Sequence, residues 1–140
     1  MIETISGLAA AVVIILLSRV LSRYFTAKLF AATVLVAIAF IYVGFSLKTN
    51  PVVLVVLEIA FAFTLYFLAV IGFTRNSLLI AYGIILHGIW DIFHHNSFLI
   101  RTDVPGYWPS FCFIIDIIVG LYFLLLFKKQ KSKQSQKVYL

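Results

Sequence analysis

Charge is what this sequence has least of. Only 11% of its 140 residues are Asp, Glu, Lys or Arg, and five acidic residues face eleven basic ones. A soluble domain carries about 25% charged residues, so this composition cannot make a water-facing shell. Nucleotide-binding and other water-side modules are thereby excluded. The single cysteine, Cys112, excludes an internal disulfide and a cysteine-based zinc framework. With three prolines and seven glycines, few positions force a helix to stop. No internal repeat is visible.

What is present is apolar. Hydrophobic residues make up 64% of the chain, aromatics 16%, and the mean hydropathy is +1.12. That is the composition of an integral, multi-pass membrane protein. Between charges and turn formers, apolar stretches run over Thr4–Leu21, Leu29–Leu47, Pro51–Phe73, Ser77–Phe98 and Tyr107–Phe127. The expected fold is all-α, a bundle of five transmembrane helices forming one domain over residues 1–127. A basic cytoplasmic tail, 128–140, is expected to be disordered. The first stretch reads as a retained span and not a cleaved signal peptide, because Glu3 leads it and Arg19 and Arg23 follow it.

Basic residues set the orientation. With a cytoplasmic C-terminus, that side holds Arg19, Arg23, Lys28, Arg75, Lys128, Lys129, Lys131, Lys133 and Lys137, leaving Lys48 and Arg101 outside. This imbalance predicts N-terminus out and C-terminus in, in the plasma or inner membrane of the cell. The basic tail is expected to touch anionic lipid headgroups and not nucleic acid. Tyr107 and Trp108 fall where an outer interfacial aromatic belt would lie.

Three of the five acidic residues, Glu58, Asp91 and Asp116, fall inside apolar spans. Each ionised carboxylate at bilayer depth costs at least about 2.5 kcal/mol, so three in a small bundle call for partners, protons, water or metal. All three histidines, His87, His94 and His95, share a span with Asp91. Counting from His87 at about 100° per residue, Asp91 lies near 40°, His94 near −20° and His95 near 80°. All four therefore project from one helix face. A rise of about 1.5 Å per residue puts Glu58 and Asp91 at roughly 10 Å, and Asp116 at roughly 13 Å, below the outer ends of their spans. The three carboxylates share a level, with His87 deeper and His94 and His95 stepping outward. One outward-opening polar site is expected.

Imidazole nitrogen and carboxylate oxygen are ligands for zinc, iron or manganese. The expected metal-binding set is His87, Asp91, His94, His95 and Asp116, with Glu58 and Asp91 as the catalytic carboxylates and Glu58 as general base or further ligand. Cys112, one turn before Asp116, is either a thiolate ligand or, as is commoner for a lone cysteine in an apolar helix, inert packing. Trp90 reads as an orienting aromatic. Gly83, Gly88 and Gly120 read as sites of close helix approach. The pair Tyr42 and Gly44 is placed as a cover over the site.

The pattern His87-x-x-Trp90-Asp91-x-x-His94-His95, with Pro105 and Pro109 and then Cys112 and Asp116, resembles an uncharacterised family of small integral membrane proteins catalogued as a domain of unknown function. The segments Leu57–Phe61 and Ala81–Asp91 are similar to that family's corresponding stretches. The resemblance implies a membrane protein with a histidine motif, and no activity. Asp91-x-x-His94-His95 also looks like a fragment of the histidine boxes of membrane desaturases, which need far more histidines than the three present.

The chemistry leads to a metal-dependent membrane enzyme of hydrolase type, using water on a lipid-like or small amphipathic substrate. The alternatives are a proton- or cation-coupled transporter, which with five helices would require a homo-oligomer, and a structural or accessory subunit whose polar cluster sets helix registry. The orientation is testable by cysteine accessibility in a Cys112→Ser background. Lys133→Cys is expected to resist an impermeant thiol reagent added to intact cells; rapid labelling would reverse the topology and the depths counted from it.

Overall fold

The computed structural model describes residues 2–48, 51–95, 100 and 103–138. Phe98, Arg101 and the side chain of Lys137, all used in the sequence reading, lie outside the described residues. The elements are α1 (Ile2–Leu21), α2 (Ala27–Ala39), α3 (Ile41–Ser46), α4 (Val52–Thr74), α5 (Leu78–His94) and α6 (Trp108–Val138), with no strand among the described residues. α2 and α3 together form one interrupted span, so the bundle has five helices. Four of these spans, α1, α2 with α3, α4 and α6, are long and apolar enough to cross a membrane.

The burial pattern is inverted relative to a water-soluble bundle. On α1, Ile5, Leu8, Val12, Val13, Leu16 and Val20 are exposed, while the buried positions are Gly7, Ala11 and Ser18. Glu58, His87, Asp91, His94 and Asp116 are all buried. Apolar side chains outside and polar ones inside is the arrangement that hydrocarbon solvent favours.

Helix association in lipid relies on close van der Waals packing, which small residues permit. α5 lies at the centre, against α6, α4 and α2, and α1 packs chiefly on α6. At Gly120 of α6, an added Cβ would meet Ile85 Cγ1 at 2.6 Å and the Ile85 backbone nitrogen at 3.2 Å. At Gly88 it would meet Asp116 Cβ at 3.2 Å. These two glycines let α5 and α6 approach where the acidic residue of α6 must be accommodated. The apolar core, including Leu35, Leu65, Ile80, Ile84 and Phe123, lies on the other side of the polar layer, toward Phe127.

Two boundaries differ from expectation. The second span is interrupted at Phe40, whose φ of −96° and ψ of 0° leave the helical basin, and the short α3 that follows carries Tyr42. The last helix does not end at Phe127; the segment expected to be a disordered tail continues α6 to Val138. Lys and Gln are good helix formers, and nothing in Lys128–Lys137 breaks a helix already nucleated in the membrane. α5 is the shortest span, 17 residues with His95 as its C-cap, or roughly 25 Å of helix.

Gly120→Ala is expected to lower stability by about 1–3 kcal/mol by prising α5 from α6. Gly44→Ala should change little, since nothing lies within 4 Å of its added Cβ. Thermal unfolding in detergent compares the two; equal midpoints would mean that the α5–α6 contact is not close.

Candidate metal centre and a linked acid–imidazole pair

The i, i+4 and i, i+7 spacing of His87, Asp91 and His94 stacks them on the buried face of α5. Asp116 comes from α6, Glu58 from α4 and Tyr42 from α3. These side chains form two groups joined by one residue.

The first group is His87, Asp91 and Asp116. Each offers a ligand atom within 4.8 Å of the others, and all three are buried. His87 Nδ1 lies 2.6 Å from Asp116 Oδ2 and 4.0 Å from Asp91 Oδ1. Tyr42 donates its hydroxyl proton to Asp91 Oδ1 at 2.6 Å. Two buried atoms of this group, His87 Nε2 and Asp91 Oδ2, have no hydrogen-bond partner among the described residues. Leaving a buried polar atom unpaired costs about 1–3 kcal/mol, and more if it is charged, so this group could hold an ion.

The second group is Glu58, His94 and Trp90. His94 Nδ1 lies 3.1 Å from the Trp90 carbonyl oxygen, which can only accept, so Nδ1 carries the proton. The other ring nitrogen, Nε2, is 2.8 Å from Glu58 Oε1. One further proton therefore sits between them, on nitrogen as an imidazolium–carboxylate pair or on oxygen as a neutral pair; both forms carry no net charge. Trp90 Nε1 donates to Glu58 Oε2 at 3.1 Å, while the indole stacks on Phe61 with centroids 4.0 Å apart. Both oxygens of Glu58 are thus partnered.

Tyr42 joins the groups. Its hydroxyl holds Asp91, and its ring stacks on His94 at 4.1 Å and 19°. It is more intimate than a cover: a buried donor wedged between the two clusters. The aromatic at 42 was visible in the sequence, but no spacing rule ties a residue of one helix to an acid 49 positions later.

The expected ligand set therefore divides. His87, Asp91 and Asp116 come together. Glu58 joins His94 instead, and His94 has both ring nitrogens engaged. His95 stands at the end of α5, exposed, with its Nδ1 3.0 Å from Ser110 Oγ. The single helix face that spacing assigns to all four residues ends at His94, because His95 leaves the helical basin with ψ of 121°. Cys112 is buried and outside the three-residue group. A cleft of about 390 Å³ reaches Asp91 between Ile92, His95, Pro109, Ser110 and Phe113. Its lining is mainly apolar, with Asp91 as its one acid.

A family model covers residues 2–129, nearly the whole chain. The chain belongs to DUF6010, a family of unknown function. DUF6010 membership agrees with the resemblance carried by the histidine motif and supplies no chemistry of its own. Neither the curated proteins nor the solved structures contain a match.

Trp90→Phe would keep a ring against Phe61 and remove the donor to Glu58 Oε2. The loss expected is about 1–3 kcal/mol, read as a lower unfolding midpoint in detergent. An unchanged midpoint would show that Glu58 does not depend on the indole.

Proposed function

We propose that this membrane protein is a metal-dependent enzyme of hydrolase type, with a divalent ion held by His87, Asp91 and Asp116. One observation carries the reading: three buried ligand-bearing side chains within 4.8 Å, next to an imidazole nitrogen and a carboxylate oxygen that the chain leaves unpartnered. A divalent ion would balance the carboxylates in a medium that disfavours their charge. Zinc, iron and manganese all fit this donor chemistry. Bound there, the ion would supply a Lewis acid and an activated water.

The chain's own residues supply the rest. The 2.6 Å contact between His87 Nδ1 and Asp116 Oδ2 sets the orientation of these two side chains toward each other. Tyr42 fixes Asp91. The cleft ends on Asp91 and is otherwise nearly apolar, which suits a lipid-like or small amphipathic substrate arriving laterally from the bilayer. Glu58, with one exchangeable proton shared with His94, is a proton store one aromatic ring away from the metal group and not a ligand in it. The reading places the N-terminus outside and the protein in the cell membrane, on the charge asymmetry alone.

Proton- or cation-coupled transport is the second reading, favoured by that same Glu58–His94 pair, which shares one proton between nitrogen and oxygen inside the bundle. Metal content separates the two. Detergent-purified protein is expected to hold stoichiometric zinc, iron or manganese, and His87→Ala and Asp91→Asn to hold at least about tenfold less, while His95→Ala retains it. Acidification should release the ion, because a ring nitrogen cannot hold a proton and a metal together. A metal-free wild type, with function undiminished in chelator and proton flux in liposomes, would overturn the enzyme reading and establish transport.

A further inference from the structure

The cleft that ends on Asp91 also carries a pair of side chains that the metal group does not use. His95, at the end of α5, and Ser110, in the first turn of α6, both line it, with Ser110 Oγ 3.0 Å from His95 Nδ1. A serine hydroxyl is a weak nucleophile until a base takes its proton, and a base at about 2.6–3.2 Å is placed to do so. With its own ring proton on Nε2, His95 accepts the hydroxyl at Nδ1. Neither residue belongs to the group of His87, Asp91 and Asp116.

The start of α6 adds a second element. The first N–H groups of a helix find no carbonyl within it. Among the described residues, those of Trp108 and Phe111 are taken by the carbonyls of Pro105 and Tyr107, and Pro109 has none. The N–H of Ser110 remains, on the nucleophile's own residue and at the positive end of the helix, where negative charge developing on a carbonyl oxygen is stabilised.

Depth and lining define the substrate. Tyr107 and Trp108, aromatic residues of the kind that settle at headgroup level, stand immediately before Pro109 and Ser110, so the pair lies where lipid esters lie. Ile92, Phe113 and Ile114 wall the cleft, and Ile92, 45% exposed, borders the hydrocarbon outside. A volume of about 390 Å³ is near the lower end of small-molecule sites, about 300–1,000 Å³, which suits one acyl chain better than two.

We infer that Ser110, with His95 as its base, is the nucleophile of an acyl transfer from an ester of one fatty-acyl chain lying in this cleft. The bond from Oγ to the carbonyl carbon forms as the hydroxyl proton passes to His95 Nδ1; the bond from that carbon to the leaving alcohol oxygen then breaks, and His95 returns the proton to that oxygen. A water repeats the sequence on the acyl-serine, giving its proton to His95, and the fatty acid leaves as Ser110 regains its hydroxyl. One ester and one water become one alcohol and one fatty acid. This chemistry does not depend on the metal group.

The test uses the full chain in detergent with two fluorophosphonates, one carrying a dodecyl and one an ethyl chain, which bond to an activated serine oxygen with loss of fluoride. Intact mass is expected to show a single adduct, and peptide mapping of the wild type to place it on Ser110; no adduct, or one on another residue, overturns the proposal without recourse to any variant. His95→Gln should slow labelling at least about 100-fold, the lower range for a general base, and labelling at the wild-type rate would remove His95 from the step. The dodecyl probe should react at least about tenfold faster than the ethyl one, a gain that two buried CH₂ groups suffice to give. Ile92→Trp, which narrows the cleft without touching the pair, should slow the dodecyl probe and leave the ethyl probe unchanged; unchanged dodecyl labelling would overturn the acyl site. Chelator should not alter labelling of Ser110, and its loss on metal removal would assign the reaction to the metal group. Labelling of Ser110 in a protein that purifies without metal would uphold the pair while sinking the metal reading.

Discussion

The contact between His87 of α5 and Asp116 of α6, 2.6 Å long and fully buried, sets the terms for the rest of the bundle. In water either group could be solvated; in hydrocarbon each needs the other or an ion. Their meeting fixes the register of the two helices, and close approach is possible only because Gly88 and Gly120 leave no side chain in the way. With α5 pinned to α6, Asp91 and His94, one and two turns beyond His87, must face inward too. The helices that surround α5 then present Tyr42 and Glu58 to it. A polar face on the central, shortest helix thus dictates what each neighbour carries at the same level.

Two polar groups have resulted, with different capacities. Glu58, His94 and Trp90 satisfy one another, so the shared proton can move between nitrogen and oxygen without creating a net charge. His87, Asp91 and Asp116 do not close among themselves, since one imidazole nitrogen and one carboxylate oxygen lack partners. A cluster serving only helix registry is expected to close, because every unpaired atom weakens the bundle. The open group is therefore the one suited to an external ligand, and the closed one is suited to supporting it through Tyr42.

Much of this was legible in the sequence. Hydropathy located the spans, since lipid tolerates little else, and helical spacing put His87, Asp91 and His94 on one face. Axial rise put Asp116 near the level of Asp91. What rise cannot give is rotation about each helix axis, and that decided the fate of Glu58: at nearly the same depth as Asp91, it turns toward His94. Tyr42 was read as a cover, and its role as donor to Asp91 was hidden for a related reason, because its position depends on the interruption at Phe40, which no proline or glycine at that point announces. The α6 extension was missed because a run of Lys, Gln and Ser reads as tail by composition, although its helix propensity is good.

The division of charge along the bundle ties these features together. The acids of α4, α5 and α6 lie toward one end, whereas Arg19, Arg23, Lys28, Arg75 and the lysines following Phe127 lie toward the other, with Lys48 as the described exception. Had the two sets been interleaved, carboxylates would have closed on lysine and arginine as ion pairs, and the open group of His87, Asp91 and Asp116 would not exist. Separation by most of the length of the apolar core prevents that: the buried acids contact imidazoles, a phenol and an indole. The same charge asymmetry therefore also keeps lysine and arginine away from the buried acids.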